Sequence, residues 1–217
     1  MISDQDLPTE FPIFPLSGAV LFPHTRLPLN IFEPRYLSMV DAVLAGSRYL
    51  GMVQPRAAAT ETVADTDALF DVGCLGRLTA FGEAEDGRYV ITLTGITRFC
   101  IEAELPIKDG YRRVRANFNE FANEQIHEDA AAFDRAEFMA TLNAYLVMMG
   151  AEENLESFDK ADGQALITAV SMSAPFSADE KQAILECREL VAQADMVRSI
   201  MEMAAYGGDA DNPRFRH

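Results

Sequence analysis

The side chains that could perform chemistry are few and scattered along the 217 residues. His24 follows Phe22-Pro23 in a predicted turn and has no adjacent acid or nucleophile motif, so a structural or merely exposed histidine is expected. His127 stands beside acids, but no second histidine at helical spacing and no cysteine accompanies it, which argues against zinc. The third histidine, His217, is terminal. We therefore expect no catalytic residues and no metal site.

The acids and thiols lead to the same expectation. Asp65, Asp67 and Asp71 resemble a calcium loop superficially, but the loop glycine and the closing glutamate are missing, which favours a solvated loop. The three cysteines are Cys74, Cys100 and Cys187. Their odd number excludes complete disulfide pairing, and no C-x-x-C spacing occurs, so free buried thiols are expected and no cofactor is indicated.

Charge narrows the class of partner. The formal net charge is −16, of which −4 falls on residues 1–118 and −12 on residues 119–217. An acidic chain repels phosphate backbones and anionic lipid surfaces, so neither nucleic acid nor a membrane is the expected partner. The polar, acidic start lacks the features of a secretory signal, and no run of about 18 apolar residues occurs, so we expect a cytoplasmic protein.

The first half of the chain reads as strands. Its clearest runs are Arg48 to Val53, Val72 to Phe81, Arg88 to Gly95 and Thr97 to Leu105. Tyr89, Ile91 and Leu93 alternate onto one face, and Asp86-Gly87 suits a tight hairpin turn. These patterns predict a mostly antiparallel, barrel-like β-lobe over residues 1–118.

The second half has helical periodicity. Phe138, Leu142, Tyr145, Leu146 and Met149 form a stripe that stops at Gly150. Ser177-Ala-Asp-Glu180 has the form of a capping box that would begin a further helix. A later stripe consists of Ala183, Cys187, Leu190, Ala194, Val197, Met201 and Ala204. It predicts one continuous helix to Tyr206, of roughly 28 residues and about 40 Å. The predicted fold class is thus α+β, with a helical lobe over 119–206 and a flexible tail over 207–217.

The stretch LPLNIFEPRY joins a strand to a helix. Leu27, Leu29 and Ile31 alternate, Pro28 marks an edge strand or a strand start, and Pro34 fits the first turn of a helix. That helix has an apolar stripe of Tyr36, Met39, Val40 and Val43 before Gly46. Glu33 and Arg35 either cap and pair at this junction or form the rim of a partner site. Both readings remain open from the sequence.

The segment FPIFPLSGAVLFPHTRLPLNIFEPRYLSMV resembles the start of the N-terminal substrate-binding domain of Lon proteases. VGCLGRLTAF and DGRYVITLTGITRFCI look like the later strands of that domain. APFSADEKQAILE is similar to the helical part of short bacterial proteins that consist of this domain alone. The resemblance covers most of the chain and implies a PUA-like β-barrel lobe followed by a helical bundle.

Full-length Lon couples an ATPase to a serine-lysine protease, and the sequence indicates neither activity here. The three lysines, Lys108, Lys160 and Lys181, follow Ile, Asp and Glu, so there is no Gly-Lys-Ser/Thr phosphate loop. What the resemblance still implies is the recognition role, namely binding of unfolded or exposed polypeptide segments in protein quality control, with Lon itself as a second candidate partner. The oligomeric state is not indicated.

The candidate peptide contacts are Phe32, Glu33, Arg35, Tyr36 and Met39, because charged and aromatic residues meet at the strand-to-helix junction. Methionines of the second half, including Met148, Met149, Met196, Met201 and Met203, either fill the core or line a groove between the lobes for apolar segments. Two further functions remain as alternatives. One is RNA binding through Arg112, Arg113 and Arg115, and the other is a small-molecule-binding protein or enzyme with a deep polar pocket.

Overall fold

The computed structural model describes residues 7–56, 64, 66–122, 133–151, 158 and 161–206. The strands in these residues are β1 (Glu10–Pro15), β2 (Arg26–Ile31), β3 (Tyr49–Val53), β4 (Val72–Glu83), β5 (Tyr89–Lys108) and β6 (Tyr111–Asn117). The α-helices are α1 (Pro34–Ala45), α2 (Arg135–Met149), α3 (Gly163–Ser173), α4 (Ala178–Glu186) and α5 (Leu190–Tyr206), with a 3-10 turn at Asn119–Phe121. The α+β class is as predicted.

The chain divides into two compact units. The first, which we call the barrel unit, comprises Met1–Ile126 together with Ser177–Leu185. The second, the helical unit, comprises His127–Phe176 and Glu186–His217. The helical lobe predicted over 119–206 overlaps the helical unit everywhere except at residues 119–126 and 177–185.

The six strands of the barrel unit form one sheet in the order β2-β5-β4-β3-β1-β6. The 20-residue strand β5 also pairs with β6, and this second pairing closes β5, β4, β3, β1 and β6 into a barrel. Every pairing is antiparallel except β1 with β3. The predicted mostly antiparallel barrel is therefore confirmed, and β2 lies outside the closed ring with β5 as its described partner.

The junction between β2 and α1 follows the predicted pattern. Leu29 and Ile31 are buried, and Pro34 begins α1 at a position that needs no backbone donor. The buried residues of α1 are Tyr36, Met39, Val40 and Val43, and the helix ends at Gly46. This stripe joins a core cluster with residues of β2, β3, β4 and β5, so packing on the barrel fixes the direction of the helix.

The helical unit is organised around α5, which packs against both α2 and α3. The side chain of Asp134 caps α2 by accepting a hydrogen bond from the Glu137 backbone N–H, and Gly150 ends it with a positive φ of 67°. Four residues of the predicted α2 stripe, Phe138, Leu142, Tyr145 and Leu146, are buried. The ion pair between Arg198 and Glu137 joins α5 to α2.

The predicted 28-residue C-terminal helix is wrong. The capping box exists, with the Ser177 N–H donating to Glu180 Oε2 at 2.6 Å, but α4 ends at Glu186 and α5 begins only at Leu190. The buried residues of α4 are Lys181, Gln182, Ile184 and Leu185, a different face from the predicted stripe. The helix breaks because α4 is bonded to the barrel unit whereas α5 is packed with α2 and α3.

Polar contacts attach α4 to the barrel. Gln54 Nε2 donates to the Ala178 carbonyl at 3.0 Å, and Lys181 Nζ donates to the Gly18 carbonyl at 3.0 Å. An Arg98 guanidinium nitrogen donates to the Leu185 carbonyl at 2.6 Å. Burial lowers the pKa of Lys181 from its usual value, because the surroundings disfavour the ammonium. These partners come from strands and loops far from α4 in the chain, so periodicity could not predict them.

Candidate functional site

The strand-to-helix junction exposes only part of the predicted contact set. Phe32 is 65% exposed, and Glu33 and Arg35 are half-buried. Met39 is 0% exposed and Tyr36 is buried beneath the Arg35 guanidinium, which lies 4.5 Å from the tyrosine ring centre. Phe32, Glu33 and Arg35 can therefore touch a partner, whereas Tyr36 and Met39 support them from the core.

The two charges of this junction neutralise each other. Arg35 Nε donates to Glu33 Oε2 at 3.0 Å, and a second guanidinium nitrogen lies 2.9 Å from the same oxygen. Glu33 is the residue that precedes the first turn of α1, but its side chain caps no backbone N–H. The predicted pairing is present, and the junction offers a bonded ion pair beside an exposed aromatic ring.

Behind the junction, the β5–β6 turn closes against Arg35. Asp109 and Gly110 both have positive φ, and a Cβ added at Gly110 would lie 3.1 Å from Arg35 Cβ. The small cleft here has no room for a water molecule. Burial raises the pKa of Tyr111 in this cleft, the nearby Asp109 raises it further, and Arg113 opposes the shift. The cleft is too tight for a small-molecule ligand.

An exposed apolar side chain on the neighbouring strand β5 extends the junction. Val90 is 47% exposed and lies opposite Asn30 of β2. Phe32 follows Asn30 by two residues, so Phe32, Asn30 and Val90 point to the same outer face. On β4, Phe81 is 44% exposed, but it lies opposite Ile91 and its ring packs edge-on against Tyr89 at 5.0 Å, so it belongs to the other face of the sheet. We call Phe32, Glu33, Arg35 and Val90 the junction surface. Val90 is absent from the contact set predicted from the sequence, although the shared face of Tyr89 and Ile91 implies that the residue between them points the other way.

The helical unit contains an apolar pocket of about 450 Å³. Its lining residues are Leu142, Tyr145, Leu146, Met149, Ala151, Phe158, Ala169, Val170, Ser173, Ala174 and Pro175. They come from α2, from α3 and from the segment after each helix. Four of them, Leu142, Tyr145, Leu146 and Met149, belong to the helical stripe predicted from the sequence, whereas a pocket within this unit was not predicted.

The methionines divide between core and surface. Met149 lines the pocket, whereas Met201 is fully buried on α5. Met148 and Met203 are exposed, and Met196 is half-buried. Of the predicted methionine set, Met149 is thus the member that lines a described pocket, and Met201 fills the core.

The three arginines considered for RNA binding are paired with carboxylates. Arg112 is buried and donates two hydrogen bonds of 2.7 Å and one of 3.0 Å to the Glu104 carboxylate. Arg115 donates to Glu10 at 2.8 Å, and Arg113 lies 4.0 Å from the same carboxylate. The two carboxylates of Glu10 and Glu104 offset most of the positive charge of the three arginines, which disfavours a phosphate-binding role.

The described members of the other candidate groups are bonded to neighbouring protein groups. Asp71 pairs with Arg56 at 2.7 Å, Asp67 accepts from the Ala64 N–H at 2.8 Å, and Cys100 Sγ donates to Glu120 at 2.9 Å. The His24 N–H donates to the Gly95 carbonyl at 2.9 Å in a tight turn. Among the described residues, no three His, Cys, Asp or Glu side chains are grouped so as to hold a metal ion. Asp65, His127, His217 and the predicted tail lie outside the described residues, as does most of the predicted loop Ala57 to Ala68.

None of the helices in the described part of the chain has both the length and the apolar character needed to cross a bilayer.

One family profile matches most of the chain. The profile described as the substrate-binding domain of the ATP-dependent protease La (LON) matches residues 10–203. The match therefore runs through both units. A Lon protease of Azorhizobium caulinodans is 25% identical over 198 residues, covering 88% of this chain. One from Desulfosudis oleivorans is 29% identical over 92 residues, or 42% of this chain.

The solved structures support the same architecture. The structure of a Lon N-terminal domain protein from Xanthomonas campestris covers 88% of this chain and 98% of the Xanthomonas chain, with a TM-score of 0.59 and 19% identity. The N-terminal domain of a Mycobacterium avium complex Lon protease covers 93% of this chain and 100% of its own length, with a TM-score of 0.62 and 16% identity.

The chain spans only part of the length of the proteases that it matches. It covers 22% of the Azorhizobium protease and 11% of the Desulfosudis protease.

Proposed function

The chain belongs to the Lon substrate-binding domain family, and from this we propose that it is a non-catalytic module that binds unfolded or exposed segments of other polypeptides. The proposal extends to protein quality control in the bacterial cytoplasm, with Lon protease as a second partner. The family match supports it, because the matched region is the domain that Lon proteases use for substrates rather than the modules that use ATP or cleave peptides.

The observation that carries the proposal is the junction surface. Phe32, just after β2, and Val90, near the start of β5, expose large apolar side chains on the same outer face of two paired strands. A contiguous exposed apolar surface on a folded protein marks an interaction site more often than isolated apolar residues do. Unfolded polypeptides expose the complementary apolar side chains.

The edge strand β2 offers a second element of recognition. It pairs with β5 on one side, and the described strands place none on the other. An extended peptide can add to such an edge through main-chain hydrogen bonds, which do not depend on its sequence. Pro28 removes one donor from the strand and so limits unwanted pairing along it.

The test is binding to a permanently unfolded protein, for which we choose reduced and carboxymethylated α-lactalbumin. We expect the Phe32→Ser variant to bind it at least about fivefold more weakly, because the ring supplies roughly 1 kcal/mol or more of buried apolar contact. The matched control is Met203→Ser, since Met203 is 63% exposed but lies on the helical unit. Circular dichroism verifies that both variants are folded.

Absence of binding by the folded wild-type protein would contradict the proposed function. Equal weakening by Phe32→Ser and Met203→Ser would contradict the assignment to the junction surface while leaving polypeptide binding in place.

A further inference from the structure

The apolar pocket of the helical unit has the features of a site that receives side chains. Its floor is formed by buried residues that include Leu142, Tyr145 and Val170. Its rim is accessible, because Ser173 and Pro175 are exposed and Met149 is half-buried. The volume of about 450 Å³ lies within the range of pockets that bind small organic ligands, about 300–1,000 Å³.

Two helices end at this pocket. Met149 is the last residue of α2 and Ser173 the last residue of α3, and both line it. The C-terminal end of a helix carries a partial negative charge of about half an electron, because the carbonyl groups of its last turn point outward. A cation in the last turn would offset this charge, but neither helix has a basic residue there.

The lining itself does not supply the missing positive charge. None of the described lining residues is a lysine, an arginine or a histidine. Residues 119–217 as a whole carry a net charge of −12. An apolar cavity with two negative helix ends at its margin favours a ligand that is apolar at its centre and positive at its edges.

We propose that this pocket binds large apolar side chains of a polypeptide segment that has lysine or arginine beside them. The inference rests on the proposed function and deepens it, since it assigns a second binding site and a preference for basic flanks. The apolar side chains fill the cavity, and the flanking cations lie against the carbonyl ends of α2 and α3. Acidic segments are disfavoured at the same site.

The probe for this site is a rhodamine-labelled peptide with a Leu-Phe-Leu core flanked by two lysines on each side. The comparison peptide has the same core flanked by glutamates. We expect fluorescence anisotropy to show tighter binding of the lysine peptide by about fivefold or more at low salt, from two helix-end interactions and the surrounding charge. The difference should shrink as salt rises to about 0.5 M, because exposed charges are screened.

A pair of alanine substitutions on α3 tests the location. Ala169 lines the pocket, so Ala169→Leu fills part of the cavity and should weaken the lysine peptide by about tenfold. Ala165 is exposed one turn earlier on the same helix, and Ala165→Leu should change binding by less than about twofold. The methyl resonance of Met149, followed by NMR, should shift during the peptide titration in the wild-type protein.

The outcomes separate this site from the proposed function. Binding that Ala169→Leu leaves unchanged but Phe32→Ser weakens would overturn the pocket assignment and keep the polypeptide-binding function. Equal binding of the two peptides would overturn the preference for basic flanks.

A second copy of this chain in the pocket would overturn the proposal too. It would appear as a dimer in light scattering that Ala169→Leu dissociates. Failure of both peptides and of unfolded α-lactalbumin to bind would contradict the proposed function itself. If the peptides alone fail to bind and the Met149 methyl resonance does not move, the pocket proposal is wrong.

Discussion

Gln182 shows how a single polar side chain positions an element. It is buried on α4, where its Nε2 donates to the Val72 carbonyl at 3.0 Å and its Oε1 accepts from Gln54 Nε2 at 3.2 Å. Gln54 in turn accepts from the Gly18 N–H at 2.9 Å. Bonded in this way, the amide stabilises the attachment of α4, whereas losing one partner would leave buried polar groups unsatisfied.

We predict that Gln182→Met destabilises the protein by about 1–3 kcal/mol, because it removes one hydrogen-bond partner of Gln54 and the donor to the Val72 carbonyl without changing the length of the side chain greatly. The measurement is the urea midpoint followed by far-UV circular dichroism. Gln164→Met on α3 is the matched control, since Gln164 is only half-buried. Equal midpoints for the two variants would show that the network contributes nothing to stability.

At the scale of elements, the turn before β2 packs directly on the middle of β5. The Gly95 N–H donates to the Thr25 carbonyl at 2.9 Å, and the Gly95 carbonyl accepts from the His24 N–H at 2.9 Å. A Cβ added at Gly95 would lie 2.0 Å from the Phe22 carbonyl oxygen. The absence of a side chain at this position therefore lets the turn and the strand approach closely enough to bond.

We expect Gly95→Ala to lower stability by about 3 kcal/mol or to prevent folding, because the backbone of Phe22 would have to move. Gly82→Ala, on β4, is the control, because the nearest atom to the new Cβ is the Val90 carbonyl oxygen at 4.0 Å. This substitution should change the free energy of unfolding by no more than about 1 kcal/mol. Thermal unfolding of both variants is the measurement. Similar melting temperatures would refute the close-approach argument.

Most of the elements themselves could be predicted from the sequence. The strand-to-helix junction, the capping box at Ser177 and the end of α2 at Gly150 depend on residues within a few positions of each other. The break between α4 and α5 was missed for the opposite reason. The hydrogen-bond partners of Gln182 and Lys181 lie more than 100 residues earlier in the chain. The local periodicity of the sequence therefore could not predict these contacts.

At the scale of the whole molecule, charge decides which partners are excluded. The net charge is −16, and the arginines of β6 that could have formed a basic surface are bonded to Glu10 and Glu104. A phosphate backbone would have to displace these carboxylates and then approach an acidic protein. The charge distribution favours a partner that is neutral or basic.

We predict that the protein retains no RNA in filter binding at about 50 mM salt, where electrostatic binding is strongest. Glu10→Gln and Glu104→Gln together should raise retention only slightly, because the net charge stays acidic. A polybasic peptide of similar length serves as the positive control. Salt-sensitive retention of RNA by the wild-type protein would overturn this prediction.

The sequence by itself determined the α+β class, the order of most elements and the family, because these depend on short-range periodicity, turn residues and ordered motifs. Only the tertiary structure decided which candidate residues reach the surface. It places Phe32 outside and Met39 in the core, and it puts Val90 on the outer face with Phe32 while Phe81 lies on the other face of the sheet. It also assigns α4 to the barrel unit and forms a pocket where α2 and α3 end. Exposure and cavities arise from contacts between distant segments, and such contacts leave no periodic signal in the chain.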